Sequence, residues 1–377
     1  MTTSTHLHAP ATPDTLTHDP HGPVLLVGGY GTVGSELARL VAAEHPVLLT
    51  GRSTERGAAL VQDLGGAPHA EVRRWDLAEP APFEAAVRAV VGVVNDPDDR
   101  VLRAAAAGAV PYVDITRWTV RLQRAATVAA LLRPAAPVLL SSAWMGGVVS
   151  LVAAALAERL GGAERVETAI RWDLADRAGA DSVEFMDRLG LDYEVVREGR
   201  RHTIAPLSDA GAVRIGRHPT RVARIDTPEQ FTLPLTLGTG TATTRIGFSS
   251  ALSTQALLAA KHAGFFRWGR GERWESARRA LLYSPGDGGT ALLRIDVTHG
   301  GRTLAAVVED RAGQAHLTAV GGLLALRRAL GTDGSAPAAA GVSFPEQTPR
   351  PDQVLSALAA LGVTVDIRSS TGLDAAA

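Results

Sequence analysis

Short unbroken apolar runs alternate with helix-period stretches through the first 150 residues. Val24-Leu25-Leu26-Val27 and Val47-Leu48-Leu49-Thr50 are such runs, and Leu37, Leu40 and Val41 recur between them at helical spacing. Further strand-like segments fall at 72–75, 90–94, 112–115 and 138–140, separated by helical patterns near 80–89, 98–107 and 120–132. This alternation predicts βαβ units with right-handed crossovers and a doubly wound sheet of six parallel strands. Beyond about residue 160 the period changes: Val166, Thr168, Ile170 and Trp172 alternate with Glu167, Ala169, Arg171 and Asp173, as in a sheet with one wet face. Segments 193–197 and 200–204 flank Glu198-Gly199, and 292–297 and 303–309 flank His299-Gly300-Gly301, so both read as hairpins. A helix is expected near 254–263 and another at 318–330. A Gly/Ala/Pro-rich connector follows at 332–341, then a helix at 354–361 and a strand at 364–367.

The expected organisation is a disordered tail at 1–20, a nucleotide-binding domain at 21–150, a substrate and dimerisation domain at 151–315, and a return to the first domain at 316–377. In fold class this is α/β: a Rossmann-type doubly wound parallel sheet with an inserted α+β domain built on a mainly antiparallel sheet. Residues 1–20 are rich in Thr, Pro and His without the apolar core of a signal peptide, which is the basis for reading a tail.

Gly29-Tyr30-Gly31-Thr32-Val33-Gly34 lies between the first strand and the first helix. The first glycine permits a tight turn, the second lets backbone approach a pyrophosphate, and the third lets helix pack on strand. The helix N-terminus then offers free N–H groups to the phosphates. After the second strand an NAD site places an acid on the ribose 2′-hydroxyl, whereas an NADP site needs a cation there. Here Arg52 stands 18 positions after Gly34, with Ser53 beside it and no carboxylate before Glu55. A guanidinium suits a phosphate, so the expected cofactor is NADP(H); the competing reading of Arg52 is a solvated loop arginine.

Composition narrows the chemistry. The 377 residues are 46% hydrophobic and 20% charged with a formal charge of −1, which fits a globular protein of two domains and argues against a nucleic-acid or polyanion binder. No uncharged apolar stretch reaches membrane-spanning length, and the expected location is the cytoplasm. Cysteine is absent, so thiolate metal sites and thiohemiacetal chemistry are excluded. No HExxH, CxxC or clustered-carboxylate pattern points to a metal. Lys261 is the sole lysine, and Leu257 four residues before it rules out the Tyr/Lys pair of short-chain reductases.

Taken in order, several pieces resemble the saccharopine dehydrogenase-like family over about residues 24–367. They are Val27-Gly28-Gly29-Tyr30-Gly31-Thr32-Val33-Gly34, Thr50-Gly51-Arg52, 95–100, Val110-Pro111-Tyr112-Val113-Asp114, the loop and helix after Ser142, and 341–346. The resemblance implies a two-domain, commonly dimeric NAD(P) oxidoreductase, its substrate domain inserted before the chain re-enters the first domain, that makes or breaks a C–N bond at an imine carbon. Trp144-Met145-Gly146-Gly147 departs from the Pro-Gly pair often found there, which puts saccharopine itself in doubt.

On this reading the substrate is a small amino-acid-derived or specialised metabolite and the assembly a homodimer. Asp114 is the candidate to orient an amine or relay a proton, with helix capping as its alternative. Asn95 is placed for the nicotinamide ribose or for a turn before Pro97, and Asp76 for the adenine amine or a helix cap. Arg117 and Trp118 offer a carboxylate clamp and a flat wall, or a solvated helix start. Trp144 shapes the pocket or packs on the sheet. Lys261 clamps a carboxylate or is solvated, and His202 is more readily a surface or core histidine than an acid. Reduction of a conjugated C=C bond and non-catalytic NADP binding remain the alternative functions.

Overall fold

A computed structural model of the chain describes residues 14–176, 188–268, 286 and 288–369. Strand β1 (Thr15–His18) is followed by β2 (Val24–Val27), helix α1 (Thr32–Ala42), β3 (Val47–Gly51), α2 (Thr54–Asp63) and β4 (Ala70–Arg74). Then come β5 (Glu84–Val87), β6 (Ala89–Gly92), α3 (Arg100–Ala107), β7 (Tyr112–Asp114), α4 (Thr119–Leu132) and β8 (Pro137–Leu140). The six expected strands, β2, β3, β4, β6, β7 and β8, form one parallel sheet, which β17 (Gly341–Ser343) extends as a seventh at the β8 edge. All four residues of β2 are buried, as a central parallel strand covered on both faces requires. One face packs Leu37, Ala38 and Val41 of α1, and the other packs α3 and α4 through Leu102 and Leu122.

The helix expected at 80–89 is absent. Pro80 and Pro82 deny that stretch a helical interior, and β5 instead pairs in parallel with β1. Asp14 holds this addition, accepting from Phe83 N at 2.8 Å and pairing with Arg100 at 2.5 Å. Residues 14–18 of the expected tail are therefore ordered structure; residues 1–13 lie outside the described residues.

The second lobe begins with α5 (Val148–Leu160), buried along nearly its whole length because both lobes pack on it. Beyond it lie β9 (Arg165–Trp172), the hairpin β10 (Tyr193–Arg197) with β11 (Arg200–Ile204), β12 (Gly211–Ile215), β13 (His218–Arg224), α6 (Glu229–Thr236), β14 (Thr241–Phe248) and α7 (Ala251–His262). The second expected hairpin is β15 (Ala291–His299) with β16 (Arg302–Asp310). The lobe's sheet runs β12-β13-β14-β9-β15-β16 and ends on β18 (Thr364–Ser369), antiparallel throughout except for β14 beside β9.

The C-terminal segment divides. Helix α8 (Gln314–Leu330) packs against α1, and β17 joins the parallel sheet, as a return to the first domain requires. Helix α9 (Val354–Ala360) and β18 (Thr364–Ser369) go to the second lobe instead, where β18 pairs with β16. A strand at 364–367 was legible in the sequence; its partner was not. No helix of the described residues is long and apolar enough to cross a membrane.

Candidate cofactor and substrate site

The chain runs β2, β3, β4 to one side of the parallel sheet and then crosses to β6, β7, β8 on the other, so the topological switch lies between β2 and β6. Ligands of open α/β sheets bind beyond the strand C-termini at such a point. A cleft of about 790 Å³ lies there. It is lined by the residues that follow five strands: Gly28 and Tyr30 to Gly34 after β2, with Gly29 set back from the lining, Arg52 and Ser53 after β3, Trp75 and Asp76 after β4, Val93 to Asn95 after β6, and Ile115 and Thr116 after β7.

The glycines do the work their spacing implies. A Cβ at Gly34 would lie 2.2 Å from Gly28 O, so only glycine lets α1 approach the strand so closely. At Gly31 the nearest atom to a Cβ is Gly28 O at 3.4 Å, so the space over that residue is open for a ligand rather than filled by protein. Helix α1 begins at Thr32, and no side chain caps it. Its first-turn N–H groups are thus left for an anion, with Thr32, Val33 and Gly34 on the cleft wall.

Arg52 is exposed on the cleft, and Arg56, which the sequence reading did not single out, lines it from the first turn of α2. Neither makes an ion pair among the described residues. Glu55, the nearest carboxylate in sequence, does not line the cleft and accepts from Ser53 Oγ at 2.6 Å. Ser53 is consequently not the free donor expected: its hydroxyl goes to Glu55 and its N–H to Tyr30 Oη at 2.9 Å. Asp76 lines the same end and turns the chain by accepting from Ala78 N at 3.1 Å. Asn95 lines the opposite end, its side-chain oxygen accepting from Arg121. An open glycine loop, an uncapped helix and two arginines without an ion pair fit a dinucleotide.

Asp114 and Arg117 stand apart from that wall. Asp114 is 1% exposed and accepts from Tyr112 Oη at 2.5 Å, Arg117 Nε at 2.7 Å, Thr116 N at 3.0 Å and Ser142 Oγ at 3.1 Å. Burial alone would raise its pKa, but Arg117 and these donors hold the carboxyl below its ordinary value. Arg117 is itself buried and pairs also with Asp99. The proton relay expected of Asp114 and the carboxylate clamp expected of Arg117 give way to a closed internal network, because each satisfies the other out of reach of the cleft. Its product is a rigid Asp114–Thr116 turn, and Thr116 does face the cleft.

No protein-family model matches the chain, and no curated protein matches it in sequence. Among solved structures, apo saccharopine dehydrogenase (L-Glu forming) from Saccharomyces cerevisiae superposes with a TM-score of 0.66 over 92% of this chain and 100% of that one, at 12% identity. The fold is that of saccharopine dehydrogenase. A myo-inositol dehydrogenase from Corynebacterium glutamicum covers 93% of this chain and 98% of its own, but at 11% identity and a TM-score of 0.41. The first likeness establishes the architecture at a level of identity that leaves the chemistry to the residues.

In the saccharopine dehydrogenase fold as this chain builds it, Trp144 lies where the lobes meet. It is 9% exposed, with ring centroids 6.4 Å from Trp118 of the first lobe and 6.3 Å from Trp172 of the second; Trp172 in turn lies 6.4 Å from Phe248. The backbone of the Trp144 loop is held by Glu229, whose carboxylate accepts from Trp144 N at 3.1 Å and from Thr244 Oγ1 at 2.9 Å. Burial pushes the Glu229 carboxyl above its ordinary value despite those donors. Thr318 of α8, from the far end of the chain, completes the cleft beside Ile115 and Thr116. Trp144, expected to shape the pocket, packs in the core between the lobes and does not line the cleft, nor do Lys261, on α7, and His202, exposed on β11. Neither Glu229 nor Thr318 carried a sequence signal, since each acts through a contact with a distant segment.

Proposed function

We propose that the protein is an NADP(H)-dependent oxidoreductase that reduces the C=N bond of a small amino-acid-derived or specialised metabolite. The single observation that carries the cofactor is the pair of arginines, Arg52 and Arg56, that line one end of a glycine-lined cleft without an ion pair among the described residues. The bound nicotinamide would supply the hydride donor. The first turn of α1 would hold the pyrophosphate, Asp76 and Asn95 the adenine and nicotinamide-ribose ends, and Arg52 the 2′-phosphate. Thr116, braced by Asp114 and Arg117, would keep the reacting end of the cleft from shifting.

The choice of C=N rests on what that end contains. Val94, Ile115, Thr116 and Thr318 line it, and Asp98, on the segment that carries Asn95, is the titratable group on that side of the cleft. A protonated imine arrives with its proton and needs no acid at the carbon, whereas a conjugated C=C bond needs one. The likeness to saccharopine dehydrogenase points the same way, and the reading goes with a cytoplasmic homodimer. The test is binding and turnover together. NADPH should quench protein fluorescence at far lower concentration than NADH, Arg52→Asp should erase or reverse that preference, and paired imine and enone substrates should give reduced product, by mass, from the imine. Equal affinity for the two coenzymes, or reduction of the enone alone, would overturn it.

A further inference from the structure

Three features of the adenine end are unexplained by a glycine motif alone. Tyr30 occupies its second position, where the chemistry of the motif asks nothing of the side chain. The ring lies in a slot that exists because the last residue of β3 and a residue of the first turns of α2 are glycines: a Cβ at Gly51 would sit 2.2 Å from Tyr30 Oη, and one at Gly57 would sit 2.9 Å from Tyr30 Cδ1. Its hydroxyl accepts from Ser53 N at 2.9 Å. From the other side Arg74 Nε donates to Arg52 O at 3.2 Å. Two consecutive residues, Arg52 and Ser53, are thus held by backbone contacts from two different elements. The Arg52 side chain is spared from holding the turn, and Arg56, in the first turn of α2, lines the same cleft.

We infer that Tyr30 is a positioning residue that sets the turn carrying Arg52, and that Arg56 is the second arm of a two-arginine clamp for a phosphomonoester at the adenine end. The inference rests on the NADP(H) reading and deepens it by naming what discriminates the 2′-phosphate. Mobile arginines gain little from a phosphate because ordering their backbone and side chains costs entropy. With the Arg52–Ser53 peptide held on both sides, the backbone share of that cost is met during folding, as preorganised sites require. The phenol is suited to the role because it accepts a hydrogen bond without bringing the negative charge that an Asp or Glu strut would place beside the phosphate.

Calorimetric titration with 2′-AMP and 5′-AMP separates the clamp from the rest of the cofactor. The wild-type protein should bind 2′-AMP the more tightly. Tyr30→Phe keeps the ring in its slot and loses only the acceptor. It should weaken 2′-AMP about fivefold, the worth of one net hydrogen bond, while 5′-AMP affinity stays at the wild-type value. Arg56→Gln, at an exposed position, should weaken 2′-AMP about tenfold and lower the salt dependence of its binding. A Tyr30→Phe protein that binds both nucleotides as the wild type does, or loses both equally, overturns the positioning role. Unchanged 2′-AMP binding by Arg56→Gln overturns the clamp, and does so even if Tyr30→Phe does not fold. Failure of the wild type to prefer 2′-AMP sinks the NADP(H) reading itself, a separate result.

Discussion

At the scale of single residues, the molecule places its buried carboxyls in two opposite electrostatic situations. Asp114 is held ionised by Arg117 and a ring of donors, whereas Glu229 is buried with hydrogen bonds but no cation beside it. The folded value of Asp114 lies below its ordinary 3.8, so its contribution to stability is complete above that pH and is lost as pH falls through the folded value. The folded value of Glu229 lies above its ordinary 4.5, so its contribution is present at and below that pH and is lost as pH rises through the raised value. Glu229→Gln can still accept from Trp144 N and donate to Thr244. It should therefore flatten the fall in melting temperature as pH rises above 4.5; scanning calorimetry that gives parallel wild-type and variant profiles would refute this. Asp114→Asn leaves Arg117 short of a counter-charge and should cost about 3 kcal/mol of unfolding free energy, read from denaturant midpoints. Loss of turnover at unchanged stability would instead restore a proton-transfer role.

At the scale of elements, the glycine loop separates folding from binding. Gly34→Ala drives a methyl into Gly28 O and should lower stability by about 1–3 kcal/mol as well as abolish coenzyme binding. Gly31→Ala meets nothing closer than 3.4 Å, so it should melt with the wild type yet bind NADPH much more weakly, because the methyl enters the open space a pyrophosphate would fill. Thermal melts beside coenzyme titrations distinguish the two, and a Gly31→Ala protein of wild-type affinity would contradict the assignment. This loop was legible in the sequence because strand, turn and helix are contiguous there and each glycine answers a local requirement. The stretch 80–89 was not. Its apolar positions suit either period, and the decision came from Pro80, Pro82 and a strand at 15–18 that only the folded chain brings alongside.

At the scale of the whole molecule, the lobes share elements. Helix α5 packs against β15 and β16 of the second lobe and against α8, which also lies on α1 of the first. Trp144 stands between Trp118 and Trp172 at the junction. Two such lobes should unfold together, with a ratio of calorimetric to van't Hoff enthalpy of about one and a single midpoint that NADPH raises. Two resolved transitions, of which NADPH moves one, would show the lobes to be independent. What the sequence by itself determined is whatever depends on neighbours along the chain: the parallel-strand runs, the hairpins, the glycine turn, and a cation in place of an acid after the second strand. Only the tertiary structure decided that Asp114 and Arg117 neutralise each other, that Arg56 joins Arg52, that Thr318 closes the cleft, and that β18 belongs to the second sheet. The physical reason is that burial and charge pairing depend on distances in space between residues far apart in sequence, which no local period encodes.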